Sequence, residues 1–280
     1  MNYILLDTSY LIFYRYFALL QWWKMAKADI ELPSNPYESK EFVDKFVKTF
    51  LELISTIKKK LKIHKQPCKV IAARDCSRKN IWRNEIYSLY KESRYKDDEF
   101  MGGEFFKMVY ENSNSILKQA GVDYVFNHDK LEGDDIIAIT KKYLHNKHIN
   151  KYLVNKESTQ THIYIIANDH DYFQLLTENV SLYNMKYKLV NTEKNSYPNP
   201  KKNLFIKCVT GDTSDNIPRI FQRCGVKTAA QLYDEPDKFE ARCKKEGCKS
   251  IYERNRIIID FDNIPVSLVE SFYKNTLKLG

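Results

Sequence analysis

The stretch His162–Leu176, HIYIIANDHDYFQLL, decides the fold. Its first half is a short, isoleucine-rich run of the kind that fills a strand buried on both faces, and its second half opens on Asp169 and Asp171. An acid placed directly after a buried strand is costly unless it lies in a loop at the strand end or is put to use. The same arrangement recurs along the chain: YILLD ends on Asp7 and VIAARD ends on Asp75. Two further clusters complete the set, LEGDD with Glu132, Asp134 and Asp135, and CVTGDTSDN with Asp212 and Asp215.

Outward from these clusters, apolar runs predict strands near 3–7, 68–74, 122–126, 163–168 and 180–184. Between them the apolar residues repeat every three or four positions, as in Phe42, Phe46, Phe50, Leu53 and Ile57, which predicts helices over 40–62, 104–120 and 134–146. Such alternation specifies an α/β fold, a mainly parallel central sheet flanked by helices, with ligands bound beyond the carboxyl ends of the strands. Past SYPNPKKN at 196–203 the pattern becomes helical only, with helices expected near 201–209, 226–234, 249–260 and 265–278. We therefore expect a core over residues 1–200 and a helical region over 201–280, packed tightly because Asp212 and Asp215 must still reach the site.

If the nine carboxylates converge, each pair about 5 Å apart repels by roughly 3 kcal/mol at an effective dielectric near 20, so the group needs divalent cations. Oxygen-only ligands favour Mg²⁺, with Mn²⁺ able to substitute. Each cluster also fits a plainer role. Asp134 and Asp135 sit where a helix begins and suit its dipole, and Asp212 or Asp215 could cap a turn.

The rest of the chain is basic, with 45 Lys and Arg against 36 Asp and Glu and a net charge of +9, which suits a polyanionic partner once the acids are gathered around metal. No apolar stretch reaches the length of a membrane span, and Asp7 interrupts MNYILLDTSY where a signal peptide would stay apolar, so an intracellular protein with no membrane partner is expected. Six cysteines without a CxxC pair predict reduced thiols and no zinc. The segment 78–96 interleaves Arg78, Lys79, Arg83, Lys91, Arg94 and Lys96 with Trp82, Tyr87, Tyr90 and Tyr95. Cations that track phosphates beside rings that accept unstacked bases fit single-strand and junction binding, and an amphipathic helix with a solvated basic face fits the same pattern. In FYRYFALLQWWKMA at 13–26, a helix that packs Trp22 and Trp23 on the sheet is expected, with Arg15 as a DNA contact.

LLD at 5–7, ARD at 73–75, EGDD at 132–135, NDHD followed by QL, GDTSDNIP at 211–218 and KTA at 227–229 occur in one order that resembles the flap endonuclease and 5′-3′ exonuclease family. WRNEIYSLYKESR, IIANDHDYFQL and the late IIIDFDNIP are similar to its T-even phage ribonuclease H branch, which suggests a viral source. The resemblance covers nearly the whole chain. It implies a PIN-like 5′-nuclease core with a helical arch or gateway within 78–110 and a C-terminal helix-hairpin-helix type region.

The resemblance further implies a two-metal nuclease of DNA replication or repair that cuts at 5′ flaps, nicks or 5′ ends, RNA-primed ends and RNA-DNA hybrids included, leaving a 5′-phosphate and a 3′-hydroxyl. Asp7, Asp75, Glu132, Asp134 and Asp135 would surround one ion, and Asp169, Asp171, Asp212 and Asp215 the other. Arg83, Lys91 and Arg94 would meet the scissile phosphate, Tyr90 would stack a base, and Arg78 and Lys96 would bind DNA along the arch. Family glycines after IP and before KTA are replaced here by Arg219 and the longer FQRCG, which puts a K⁺ site in doubt and makes Arg219, Arg223 and Lys227 candidate phosphate contacts. His170 is expected to face solvent or DNA. The C-terminal VSLVESFYKNTLKLG lacks the glutamine of a sliding-clamp motif, and a monomer is expected. Two rivals stand beside this: a phosphatase of small phosphoesters, which would not need the basic segment, and a non-catalytic branched-DNA-binding module, to which metal-free acids would be a hindrance.

Overall fold

The computed structural model describes residues 1–93, 100–155, 161–190 and 197–279. Five parallel strands, β1 (Asn2–Asp7), β2 (Cys68–Ala73), β3 (Tyr124–Phe126), β4 (Ile163–Ile166) and β5 (Val180–Tyr183), form one sheet in the order β3-β2-β1-β4-β5. The central strand is paired on both sides, Leu6 lying opposite Ala72 of β2 and Ile166 of β4. Successive connections wind away from β1 in opposite directions, which opens a crevice at the carboxyl ends of β1, β2 and β4. Asp7, Asp75 and Asp169 all stand at that rim.

One face of the sheet is covered by α1 (Thr8–Ala26), α2 (Lys40–Ser55), the single turn α3 (Ile57–Lys60), α4 (Gly103–Glu111) and α5 (Ser113–Gln119). The phenylalanine stripe of α2 packs there against Tyr16 and Phe105. Ser39 begins α2, its hydroxyl accepting from the Phe42 amide at 3.3 Å. The helix expected over 40–62 is interrupted at Thr56, whose hydroxyl bonds back to the Glu52 carbonyl at 2.8 Å. On α1, Trp23 is buried and Trp22 lies under the Lys45 ammonium, while Phe13 and Phe17 remain exposed.

The other face carries α6 (Gly133–Asn155), through Ile136, Ile137 and Leu144. Beyond it, α7 (Pro200–Thr210), α8 (Val226–Asp234), α9 (Pro236–Glu246) and α10 (Lys249–Ile259) share a small core that includes Val209, Phe221, Leu232 and Phe239. The sequence pattern gives no forecast of α9, because PDKFEARCKKE offers only Phe239 and Cys243 as an apolar stripe. After α10 the chain returns to the sheet: Phe261, Ile264, Phe272 on α11 (Val266–Asn275) and Leu277 join the same core as β1 and α6. The segment 78–93 opens with short 3₁₀ turns at Arg78–Asn80 and Trp82–Glu85 rather than a continuous helix. All six thiols are free, and among the described residues no helix is long and apolar enough to cross a membrane.

Candidate metal centre

The first acidic group is assembled by three loops. Asp7 ends β1 and caps α1, with Oδ1 accepting from the Tyr10 amide at 3.0 Å and Oδ2 from the Tyr172 hydroxyl at 2.9 Å. Asp75, just past β2, accepts from the Ser9 hydroxyl and from the Gly133 amide at 2.6 Å. A Cβ on Gly133 would stand 3.1 Å from the same Asp75 oxygen, so the absence of a side chain lets α6 begin against that carboxylate. Asp134 follows at once on α6, its Oδ1 accepting from the Asp135 amide at 2.7 Å. Burial and then Asp75 push Asp7 up to about 7, and burial and then Asp135 push Asp134 well above the usual carboxylate range. No lysine or arginine among the described residues forms an ion pair with Asp7, Asp75 or Asp134.

Glu132 and Asp135 are different, because Arg83 lies between them. Its Nη1 donates to Glu132 at 2.9 Å and to Asp135 at 2.8 Å, its Nη2 to Asp135 at 2.7 Å, and its Nε to the Ile258 carbonyl at 2.7 Å. Asp135 also accepts from the Trp82 indole at 3.0 Å and from the Glu132 amide at 3.1 Å. Glu132, Asp134 and Asp135 offer oxygens within 4.8 Å of one another. Asp135 is fully buried with both oxygens so engaged and fixes Arg83. Glu132, though its own oxygens meet Arg83, Lys91 and Tyr90, lines an open cleft, and Asp134 has no ion pair among the described residues, which makes these two the better donors to an ion.

Asp171, Asp212 and Asp215 form the second group, also within 4.8 Å. Asp169 caps a 3₁₀ turn by accepting from the Asp171 amide at 2.9 Å. Asp212 is held by a main-chain pair with Ile217, at 2.8 and 2.7 Å, and accepts from the Ser214 amide at 2.8 Å. Lys207 of α7 reaches into this group: its Nζ touches Asp171, lies 2.9 Å from Asp212 and is 3.9 Å from Asp169. Burial opposes its charge, but Asp171, Asp169 and Asp212 prevail and hold the ammonium above its ordinary range. For Asp171 burial prevails over Lys207 and lifts the carboxyl to about 7, whereas Lys207 overcomes burial at Asp212 and lowers it.

Lys91 and Tyr90 join the two groups. The Lys91 ammonium touches Glu132 and lies 3.6 Å from Asp215, and the Tyr90 hydroxyl is 3.1 Å from Glu132 and 3.2 Å from Asp215. Burial would raise Glu132, yet Lys91 and then Arg83 hold it below its ordinary value. A cleft of about 750 Å³ lies over the first group, bounded by Ser9, Asp75, Lys91 and Glu132 and by an apolar wall of Phe13, Phe100 and Phe106. A second, of about 580 Å³, lies over Asp169, Lys207 and Asp212, and Ser214 lines both. The donors are all oxygens, burial lifts the Asp7 and Asp171 carboxyls to about 7, the latter in spite of Lys207, and the groups face open clefts. These features fit hard divalent cations.

The basic and aromatic residues are placed less uniformly. Arg83, expected at the scissile phosphate, is 2% exposed with every side-chain nitrogen engaged inside the protein. Tyr90, expected to stack a base, is 4% exposed, so its ring has no face free for one. Arg15 is half-buried on α1, where burial lowers it below its ordinary value against the support of Tyr14 and Glu52, and it lines neither cleft. Arg78 stands exposed at the rim of the first cleft, and Arg219, Arg223 and Lys227 are exposed around the start of α8. Arg94 and Lys96 lie outside the described residues. His170 is exposed and stacks on Phe173 at 4.7 Å.

Sequence reasoning missed Lys207, Ser9, Tyr110 and Tyr172. Tyr110 pairs its hydroxyl with that of Ser9 at 2.6 Å, and Tyr172 reaches Asp7 from the 3₁₀ turn His170–Leu175. For Lys207 there was a signal, since Asn203, Lys207 and Thr210 make a polar stripe at four- and three-residue spacing on α7.

Comparison with known proteins supplies independent findings. A model of the 5′-3′ exonuclease N-terminal, resolvase-like domain matches residues 2–199. A 5′-3′ exonuclease of Buchnera aphidicola is 29% identical over 66% of this chain, which spans 58% of that protein. Ribonuclease H of Enterobacteria phage T4 is 27% identical over 75% of this chain and 71% of its own length. Among solved structures, the T5 D15 protein co-crystallised with metal ions is similar with a TM-score of 0.66 and 17% identity over 98% of each chain, a likeness of fold. A further structure of T5 D15 flap endonuclease is a pseudo-enzyme-product complex with DNA and metal ions, with a TM-score of 0.63.

Proposed function

We propose that this chain, which belongs to the 5′-3′ exonuclease family, is a divalent-metal-dependent, structure-specific nuclease that hydrolyses phosphodiesters at 5′ flaps, nicks and 5′ ends of DNA. The products are a 5′-phosphate and a 3′-hydroxyl, and RNA-primed ends are substrates too. One observation carries the proposal: two carboxylate groups, bridged by Lys91 and Tyr90, lie under clefts that share Ser214. Relatives of the same fold crystallised with DNA and metal ions support it.

Asp7, Asp75, Glu132 and Asp134 would hold one ion and Asp169, Asp171, Asp212 and Asp215 the other, with Mg²⁺ the proposed metal and Mn²⁺ a substitute. When bound, the ions supply an activated water and charge stabilisation of the departing oxygen. Lys91, at the junction of the two groups and on the first cleft, binds the scissile phosphate and offsets its charge as bond cleavage proceeds. Arg83 is assigned a positioning role through Asp135 and Glu132 rather than contact with substrate. Arg78 tracks the strand at the cleft rim. Arg219, Arg223 and Lys227 grip the duplex backbone through side chains in place of an ion-bridged loop, since 218–225 keeps only Gly225. A monomer acting inside the cell on replication or repair intermediates fits this chemistry.

The test is a labelled 5′-flap duplex, a nicked duplex, a gapped duplex and an RNA-primed duplex incubated with Mg²⁺, beside the Asp169→Asn and Asp171→Asn variants. Both variants should lose at least about 100-fold in cleavage rate while retaining binding. Equal cleavage by variants and wild type removes the assigned role.

A further inference from the structure

We propose that Lys207 is the resident cation of the second acidic group and must withdraw before a divalent ion enters, so that the two ion sites fill in a fixed order. The inference rests on the assignment of both groups to divalent cations and goes beyond it to their occupancy. Its basis is an asymmetry between the two groups. In the first group Arg83 and Lys91 hold Glu132 and Asp135 and leave Asp7, Asp75 and Asp134 without an ion-pair partner among the described residues, whereas in the second the Lys207 ammonium sits against Asp171 and Asp212 with Asp169 next in reach.

An ammonium and a dication compete for the same oxygens, and at contact distance their repulsion lowers ion affinity by at least about an order of magnitude. The first group therefore fills first. In the second, the side chain has somewhere to go: Lys207 also lines the cleft of about 580 Å³, with Asn203 and Thr210 beside it on α7, and its four-carbon stem can turn the ammonium into that space. The neighbouring Cys208 and Val209 are buried, so the helix stays seated while the side chain moves. Filling of the second site then depends on both ion concentration and what else the cleft holds.

Titration with Mn²⁺, followed through the electron paramagnetic resonance of the free ion, tests this on wild type, Lys207→Met and Lys207→Arg. Wild type should bind one ion more tightly than the other, and Asp212→Asn should abolish the weaker. Lys207→Met should tighten the weaker site at least about tenfold and leave the tighter one unchanged, while Lys207→Arg, which keeps the charge, should not tighten it. Unchanged or weaker second-site binding in Lys207→Met overturns the proposal, as does loss of the tighter ion in Asp212→Asn. If Lys207→Met folds only when Mn²⁺ is present, the metal has replaced the ammonium as proposed. Failure to fold even with Mn²⁺ shows that it cannot. A wild type that binds no ion at all removes the metal assignment itself, an outcome distinct from two ions of unaltered affinity.

Discussion

Arg83 sits between Glu132 and Asp135 and holds the Ile258 carbonyl with its remaining nitrogen. Removing it leaves Asp135 buried with no cation beside it and Glu132 with Lys91 alone, so Arg83→Met should cost about 3–5 kcal/mol in urea denaturation, and Arg83→Lys, which cannot fork across Asp135, should recover only part. Asp7 gives a prediction about pH. Its folded value of about 7 lies above the ordinary 3.8, so between those values the folded chain holds more protons than the unfolded one. Stability of the metal-free protein should therefore fall as pH rises through about 7, and saturating Mg²⁺ should flatten that fall. Melting temperatures at pH 6 and pH 8, in chelator and in Mg²⁺, measure it; equal slopes in both would sink the idea. At this scale the acids were legible because a carboxylate directly after an apolar run is seldom tolerated unless it is solvated or binds something. Lys207 carried only the weak signal of its polar stripe, since a lysine in KKNLFIK looks the same whether it faces water or an acidic group.

Gly211 ends α7 with φ of 70°, and an added Cβ would collide with the Ile217 carbonyl oxygen, the group that receives the Asp212 amide. Gly211→Ala should thus cost about 1–3 kcal/mol and displace Asp212, seen as lower stability together with weaker binding of one Mn²⁺. By contrast Ser39→Ala should cost about 0.5–2 kcal/mol through the lost α2 cap and leave ion binding untouched. Elements with a dense apolar period were legible, α8 and the phenylalanine stripe of α2 among them. Where the stripe thins to two residues, as in α9, the period has too few points to register. The basic segment failed for another reason: interleaved rings and charges imitate helical amphipathicity, while Trp82 and Arg83 in fact turn inward to Asp135.

For the whole molecule, a net charge of +9 with the acids gathered in one crevice leaves the outer surface strongly cationic. Duplex affinity should fall steeply with salt, and replacing Arg219, Arg223 and Lys227 together by alanine should flatten the logarithmic slope by about 2–3, as measured by fluorescence anisotropy from low to moderate salt. An unchanged slope would exclude these three as phosphate contacts. The parallel sheet could be anticipated from its strands. The return of Phe261, Phe272 and Leu277 to the sheet could not, because nothing in a short apolar helix names the surface that it covers.

The central position of β1 also bears on how the molecule is made. Its neighbours end at Ala73 and Ile166, the second acidic group is complete only at Asp215, and Arg83 is anchored by Ile258. A polypeptide emerging from the ribosome meets these requirements in sequence, Ile258 last. A product released before Ile258 would carry all nine acids yet lack the carbonyl that anchors Arg83, so the crevice is finished only once that residue has been made.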